Sequence, residues 1–139
     1  MECAYFRDDL CSSCPSIETA YTAQVQAKQE HARALLANYP QLQWLDPVTS
    51  AEAGFRNKAK LVVGGSAKNP TLGIVDYRTG ASTDLGECPL YMEPIQVAIP
   101  VLRELIQRAG LTPYDISNRR GELKNILVTA SAAGELMVR

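Results

Sequence analysis

Four cysteines are the residues of this 139-residue sequence whose type and spacing could do chemistry. Cys3, Cys11 and Cys14 follow the pattern C-x7-C-x2-C, and Cys88 lies 74 positions beyond Cys14. Two thiolates separated by two residues can face one metal centre from a tight turn. A third from the same loop and a fourth from a distant segment complete a tetrahedral set. Four soft ligands select zinc or an iron–sulfur cluster. A proline follows both Cys14 and Cys88, a habit of cluster-binding loops. Disulfides and unlinked buried thiols are the competing readings. Four cysteines allow three pairings, but the opening MECAYFRDDL is acidic where a secretion signal is basic and then apolar, so a reducing, cytoplasmic compartment is expected. A chain of this length can also build a core without disulfides.

The second candidate chemistry is anion binding. The net charge is −1, which argues against coating nucleic acid by bulk attraction. The charge is nevertheless uneven: residues 1–54 hold three Lys/Arg against seven acids, and residues 55–139 hold eleven against eight. Arg56, Lys58, Lys60 and Lys68 fall in a stretch without an acid, and Arg119, Arg120 and Lys124 surround a single Glu122. A solvated strand face is the ordinary reading of such lysines.

Other side chains carry less. His31 is the only histidine and has no partner at metal spacing. Gly64-Gly65 leads into a turn and no helix, so it reads as a bend and not a phosphate loop. Tyr39, Trp44 and Tyr91 read as core or rim packing. No Ser/His/Asp or paired-carboxylate constellation stands out.

The elements that must position these residues are of both kinds. Residues 1–15 read as a compact loop. Ile17, Tyr21, Val25, Ala32, Leu35 and Leu36 predict an amphipathic helix from Ser16 to about Asn38, stopped at Tyr39-Pro40. Phe55, Ala59, Leu61 and Val63 alternate with Arg56, Lys58, Lys60 and Val62, which predicts a strand with one apolar and one largely basic face. GGSAKNP reads as a hairpin loop leading to a partner strand over 71–77. Ile95, Ala98, Ile99, Leu102, Leu105, Ile106 and Ala109 predict a second helix, opened by Pro94 and closed by Gly110, with Pro100 kinking it or marking its start. A strand is predicted over Leu123–Ala130, and after the turn at Ser131–Gly134 the segment Glu135–Arg139 reads as another strand just begun, as in a fragment of a longer protein. No run approaches the ~18 apolar residues of a membrane span. The fold class expected is α+β: an antiparallel sheet covered by two helices, with a cysteine-rich loop at the N-terminus.

Four stretches, in this order, resemble the bacterial 23S ribosomal RNA uracil-5-methyltransferases: MECAYFRDDLCSSCP, GFRNKAKLVVGGS, DLGECPLY and AGLTPYDISNRRGELKNILVT. The resemblance covers essentially the whole chain. It implies that Cys3, Cys11, Cys14 and Cys88 bind a [4Fe-4S] cluster that lies away from the chemistry. It further implies that methyl transfer from S-adenosylmethionine belongs to a Rossmann-like C-terminal domain absent here, where a cysteine attacks C6 of uracil and C5 takes the methyl group. Cys88 sits in the ECPLY motif and is not that nucleophile. Residues 1–139 would then form one iron–sulfur and RNA-binding domain without catalytic residues, acting on 23S ribosomal RNA as a monomer with no membrane partner. The resemblance also implies that the extra N-terminal RNA-binding β-barrel of some relatives is missing. A base-modifying enzyme must extrude its target and hold the flanking backbone. Arg56, Lys58 and Lys60 would project from one strand face at about 6.6–6.8 Å intervals to do so, with Arg119, Arg120 and Lys124 extending the track if the sheet brings them alongside. Asn57 would read a base edge only if the strand is irregular there. The reading of different class is a stand-alone four-thiolate zinc module with a scaffolding role.

Overall fold

Alternation of apolar and polar residues builds the centre of the fold. In the computed structural model, which describes residues 1–75 and 82–139, β1 (Lys58–Gly65) buries Ala59, Leu61 and Val63 and leaves Lys58 and Lys60 exposed. It pairs antiparallel with β2 (Pro70–Val75) on one side and β4 (Asn125–Ala130) on the other. The short strands β3 (Ser82–Asp84) and β5 (Leu136–Val138) complete a five-stranded antiparallel sheet in the order β3-β2-β1-β4-β5. The β1–β2 hairpin is closed by reciprocal backbone bonds between Ser66 and Asn69, and Gly65 adopts φ 72, a conformation other residues reach only with strain. The strand expected over 71–77 is present over its described part, to Val75, and Asp76 and Tyr77 lie outside the described residues.

One face of this sheet is covered by α3 (Glu93–Ala109), which buries Ile95, Ile99, Leu102 and Ile106. Pro94 sits in its first turn and Gly110, at φ 66, closes it. Pro100 lies inside the helix on its exposed side and does not start it, because the two halves are held to the sheet by apolar residues on either side. Leu105, expected in the buried stripe, is instead turned to solvent. Arg103 ties the helix to β3 through Asp84 at 2.7 Å. Leu61, Leu72, Ile95, Ile99, Ile106 and Val128 are the largest fully buried side chains, each contributing about 1.5–3 kcal/mol on burial.

The expectation of two covering helices is met by α3 alone. The first long helix, α2 (Tyr21–Leu35), is shorter than the Ser16–Asn38 span and buries none of its residues; Leu35 is 68% exposed. Its apolar positions are too sparse to make a continuous stripe. Nothing before Ala59 is buried, including the one-turn helix α1 (Ala4–Arg7). Phe55 does not begin β1 and does not join the core. Of the three aromatics expected to pack, Tyr91 is buried, whereas Tyr39 and Trp44 stand in solvent, Trp44 with the Arg33 guanidinium 5.5 Å from its ring.

Candidate iron–sulfur and RNA-binding site

The N-terminal loop folds back on itself through backbone bonds that set its three cysteines. Cys3 caps α1, the N–H of Cys11 donates to the Tyr5 carbonyl at 3.0 Å, and the N–H of Ile17 donates to the Cys14 carbonyl at 3.1 Å. Cys88 comes from the far side, in a turn between β3 and α3 where its N–H donates to Leu85 and its carbonyl accepts from Tyr91. The two segments meet where the Glu87 N–H donates to the Tyr5 hydroxyl at 3.1 Å. All four cysteines are unlinked and half-buried.

Burial dominates the electrostatics of two of these thiols. Burial pushes the Cys88 thiol up, with smaller contributions from Cys3 and Cys14, against the Leu90 N–H and Arg56, which favour the thiolate. Burial also raises Cys14, helped by Cys11 and Cys3 and again opposed by Arg56. Tyr91 is pushed up to about 12, chiefly by burial and then by Cys88, so its hydroxyl stays neutral. Among the described residues no three His, Cys, Asp or Glu side chains close on one point as ligands of a single ion would. The donor set fits an iron–sulfur cluster in kind alone: four soft thiols supplied by two segments.

Arg56 joins this group to the sheet. Its N–H donates to the Leu90 carbonyl at 2.8 Å and its carbonyl accepts from the Met92 N–H, a parallel bridge beside Tyr91. Two and four residues on, Lys58 and Lys60 rise from the sheet face opposite α3. Register makes two cross-strand rows there, Lys58–Thr129–Met137 and Lys60–Leu127–Arg139, the last pair closed by reciprocal bonds of 2.8 and 2.9 Å. Arg139, which sequence reading passed over, therefore lies two strands from Lys60, about 10 Å across the sheet. The signal that could have found it is parity: Arg139 is two residues beyond Met137, just past the end of the outermost strand. Among the described residues no carboxylate pairs with Arg56, Lys58, Lys60 or Arg139.

The second basic group is not brought alongside. Lys124 stands beside Val63 at the other end of β1, on parity with the buried Ile126, and its ammonium lies 4.0 Å from the Tyr114 ring centroid. Arg119 and Arg120 belong to a separate loop in which Asp115 accepts from Ser117 and Asn118, contacts that hold its carboxyl at about 2. Asn57 precedes β1 with its carbonyl accepting from the Ala130 N–H at 2.8 Å, on parity with Ala59 and so away from the lysines.

Over all its length the chain is 45% identical to a 23S rRNA (uracil(747)-C(5))-methyltransferase RlmC of Yersinia enterocolitica and 43% identical to one of Serratia proteamaculans. Along its whole length it is similar to RlmC methyltransferases. The chain spans about 37% of the length of these relatives. No family model matches it. Among solved structures, the Pyrococcus abyssi tRNA (uracil-54, C5)-methyltransferase, in complex with S-adenosyl-L-homocysteine, superposes with a TM-score of 0.71 at 21% identity, covering 92% of this chain and 30% of that one. That likeness extends to the fold. No helix among the described residues is long and apolar enough to cross a membrane.

Proposed function

We propose that this chain is the cluster-holding, RNA-positioning part of an S-adenosylmethionine-dependent 23S rRNA uracil-5-methyltransferase acting in the cytoplasm. The observation that carries the reading is the 45% identity of the chain, along its whole length, to an RlmC protein, and the chain holds four unlinked cysteines in two segments far apart in sequence. Cys3, Cys11, Cys14 and Cys88 would hold the [4Fe-4S] cluster. Bound there, the cluster supplies a cross-link between the N-terminal loop and the turn before α3, not chemistry at uracil. Lys58 and Lys60, on the sheet face opposite α3, and Arg56 before them neutralise phosphates, and the strand keeps the spacing of the two lysines fixed while the target base is presented elsewhere. The methyl donor and the nucleophile belong to the remainder of the longer protein.

Anaerobic purification tests the cofactor. The expected product is brown, with about four irons and four sulfides per chain; a colourless protein with one zinc would overturn it. Cys88→Ser is expected to abolish iron retention. The longer protein is expected to transfer a methyl group to C5 of a uracil in 23S RNA, read by mass spectrometry of RNA digests. Transfer to no rRNA uracil would reject the enzyme assignment.

A further inference from the structure

The phosphate track described above ends at a cavity, and we infer that this cavity receives one unstacked nucleotide of the bound RNA. The inference rests on the RNA-positioning reading and names a subsite within it. The cavity, about 410 Å³, lies between the cysteine loop, the start of α2 and the segment leading into β1. That volume is in the range of sites for small organic ligands, about 300–1,000 Å³.

Its lining has the parts a nucleotide requires. Phe55 contributes an aromatic ring that is 48% exposed and has no place in the core. The backbone on either side of it is fixed, since the Gly54 N–H donates to Pro89 at 2.9 Å and the Arg56 N–H to Leu90 at 2.8 Å. Gly54 adopts φ 64, so the chain turns there in a way that would strain most side chains. Ile17 and Leu90 add apolar walls, and Arg56, Lys28 and the Met1 ammonium supply three cations against the single carboxylate of Glu52, which the ammonium approaches at 3.7 Å. A base stacks on an exposed ring whatever its identity, while its phosphate needs a cation within reach. Arg56 lines the cavity and stands two residues before Lys58, where β1 begins, so an RNA backbone that leaves Lys60 and Lys58 toward Arg56 reaches its mouth.

The test uses the cluster-loaded full-length protein and a 23S rRNA fragment spanning the uracil that the relatives modify, with 2-aminopurine placed at successive loop positions. One position is expected to change fluorescence on binding through stacking with Phe55. Phe55→Leu should weaken RNA binding roughly 5- to 150-fold and remove that change, with the salt dependence of binding unaltered. Phe55→Trp should restore both. Lys58→Glu with Lys60→Glu separates the two readings. If that pair weakens binding and flattens its salt dependence but Phe55→Leu leaves affinity and fluorescence as they were, the cavity takes no nucleotide and the RNA face stands. If neither variant changes binding, both inferences fall.

Discussion

A lysine on a strand is usually solvated surface, and Lys58 and Lys60 would be so read were it not for their register. Arg139 shares the row of Lys60, while Thr129, Leu127 and Met137 bring no acid to the same rows. Three cations on one rigid face, with no carboxylate paired to them among the described residues, lose little side-chain organisation when a polyanion binds. Each phosphate contact removed should lower the slope of log affinity against log salt by about 0.7 for single-stranded RNA. Arg139→Glu is therefore expected to weaken RNA binding and reduce that slope, as charge reversal at Lys58 should, whereas Lys124→Glu, on the other face, should leave the slope unchanged. Titration of affinity between low and moderate salt reads the difference. Equal effects at Arg139 and Lys124 would refute the placement of the RNA on this face.

At the scale of elements, α3 keeps a helix through a proline that should disfavour one. Pro100 removes the N–H that would bond the carbonyl of Gln96, a loss of about 3 kcal/mol relative to Ala in a helix interior. Proline recovers about 0.4–1 kcal/mol by restricting the unfolded chain. The first effect exceeds the second, so Pro100→Ala should stabilise the protein by about 2 kcal/mol, measured as a rise in the urea midpoint at constant slope. No change would mean that the helix has already relaxed around the ring. Ile99→Ala, one residue away but fully buried, should cost about 2–5 kcal/mol. This helix was legible because its stripe is continuous and its ends carry Pro94 and Gly110. The β1 alternation was legible for the same reason: Ala59, Leu61 and Val63 obey period two without exception. Helix α2 shows the limit of such reasoning. A 3.6-residue recurrence sets which side is less polar, but not whether a partner surface is there to receive it. Phe55 is misplaced on the same ground: it follows the parity of β1, yet the chain has not yet entered the sheet. Lys124 fails differently, because which face it occupies depends on pairing between segments about sixty residues apart.

Considered whole, the molecule divides where its buried residues begin. Every residue of the core lies between Ala59 and Ala130, so residues 1–57, although largely ordered as loop and helix, bring no buried apolar side chain to hold them. Direct ties from the N-terminal loop are few and exposed, among them the Glu87 N–H to the Tyr5 hydroxyl. Exposed contacts of this kind contribute little each. Four metal–thiolate bonds joining Cys3, Cys11 and Cys14 to Cys88 would therefore be the dominant link between the two parts, since Cys88 packs directly against the core. The consequence is a two-tier stability. Removing iron by anaerobic chelation, or substituting Cys88→Ser, should leave backbone amides of β1, β2 and β4 protected from hydrogen exchange, while amides of residues 4–35 lose protection by orders of magnitude. Cys88→Ala, which keeps a small apolar side chain against the core, should behave as Cys88→Ser does, because the loss lies in ligation and not in packing. If both substitutions left the N-terminal amides protected, contacts within the protein would be sufficient to fasten that segment, and the cluster's structural role would be refuted even with iron present. If protection collapsed throughout the sheet as well, the division at Ala59 would be wrong and the chain would unfold as one unit.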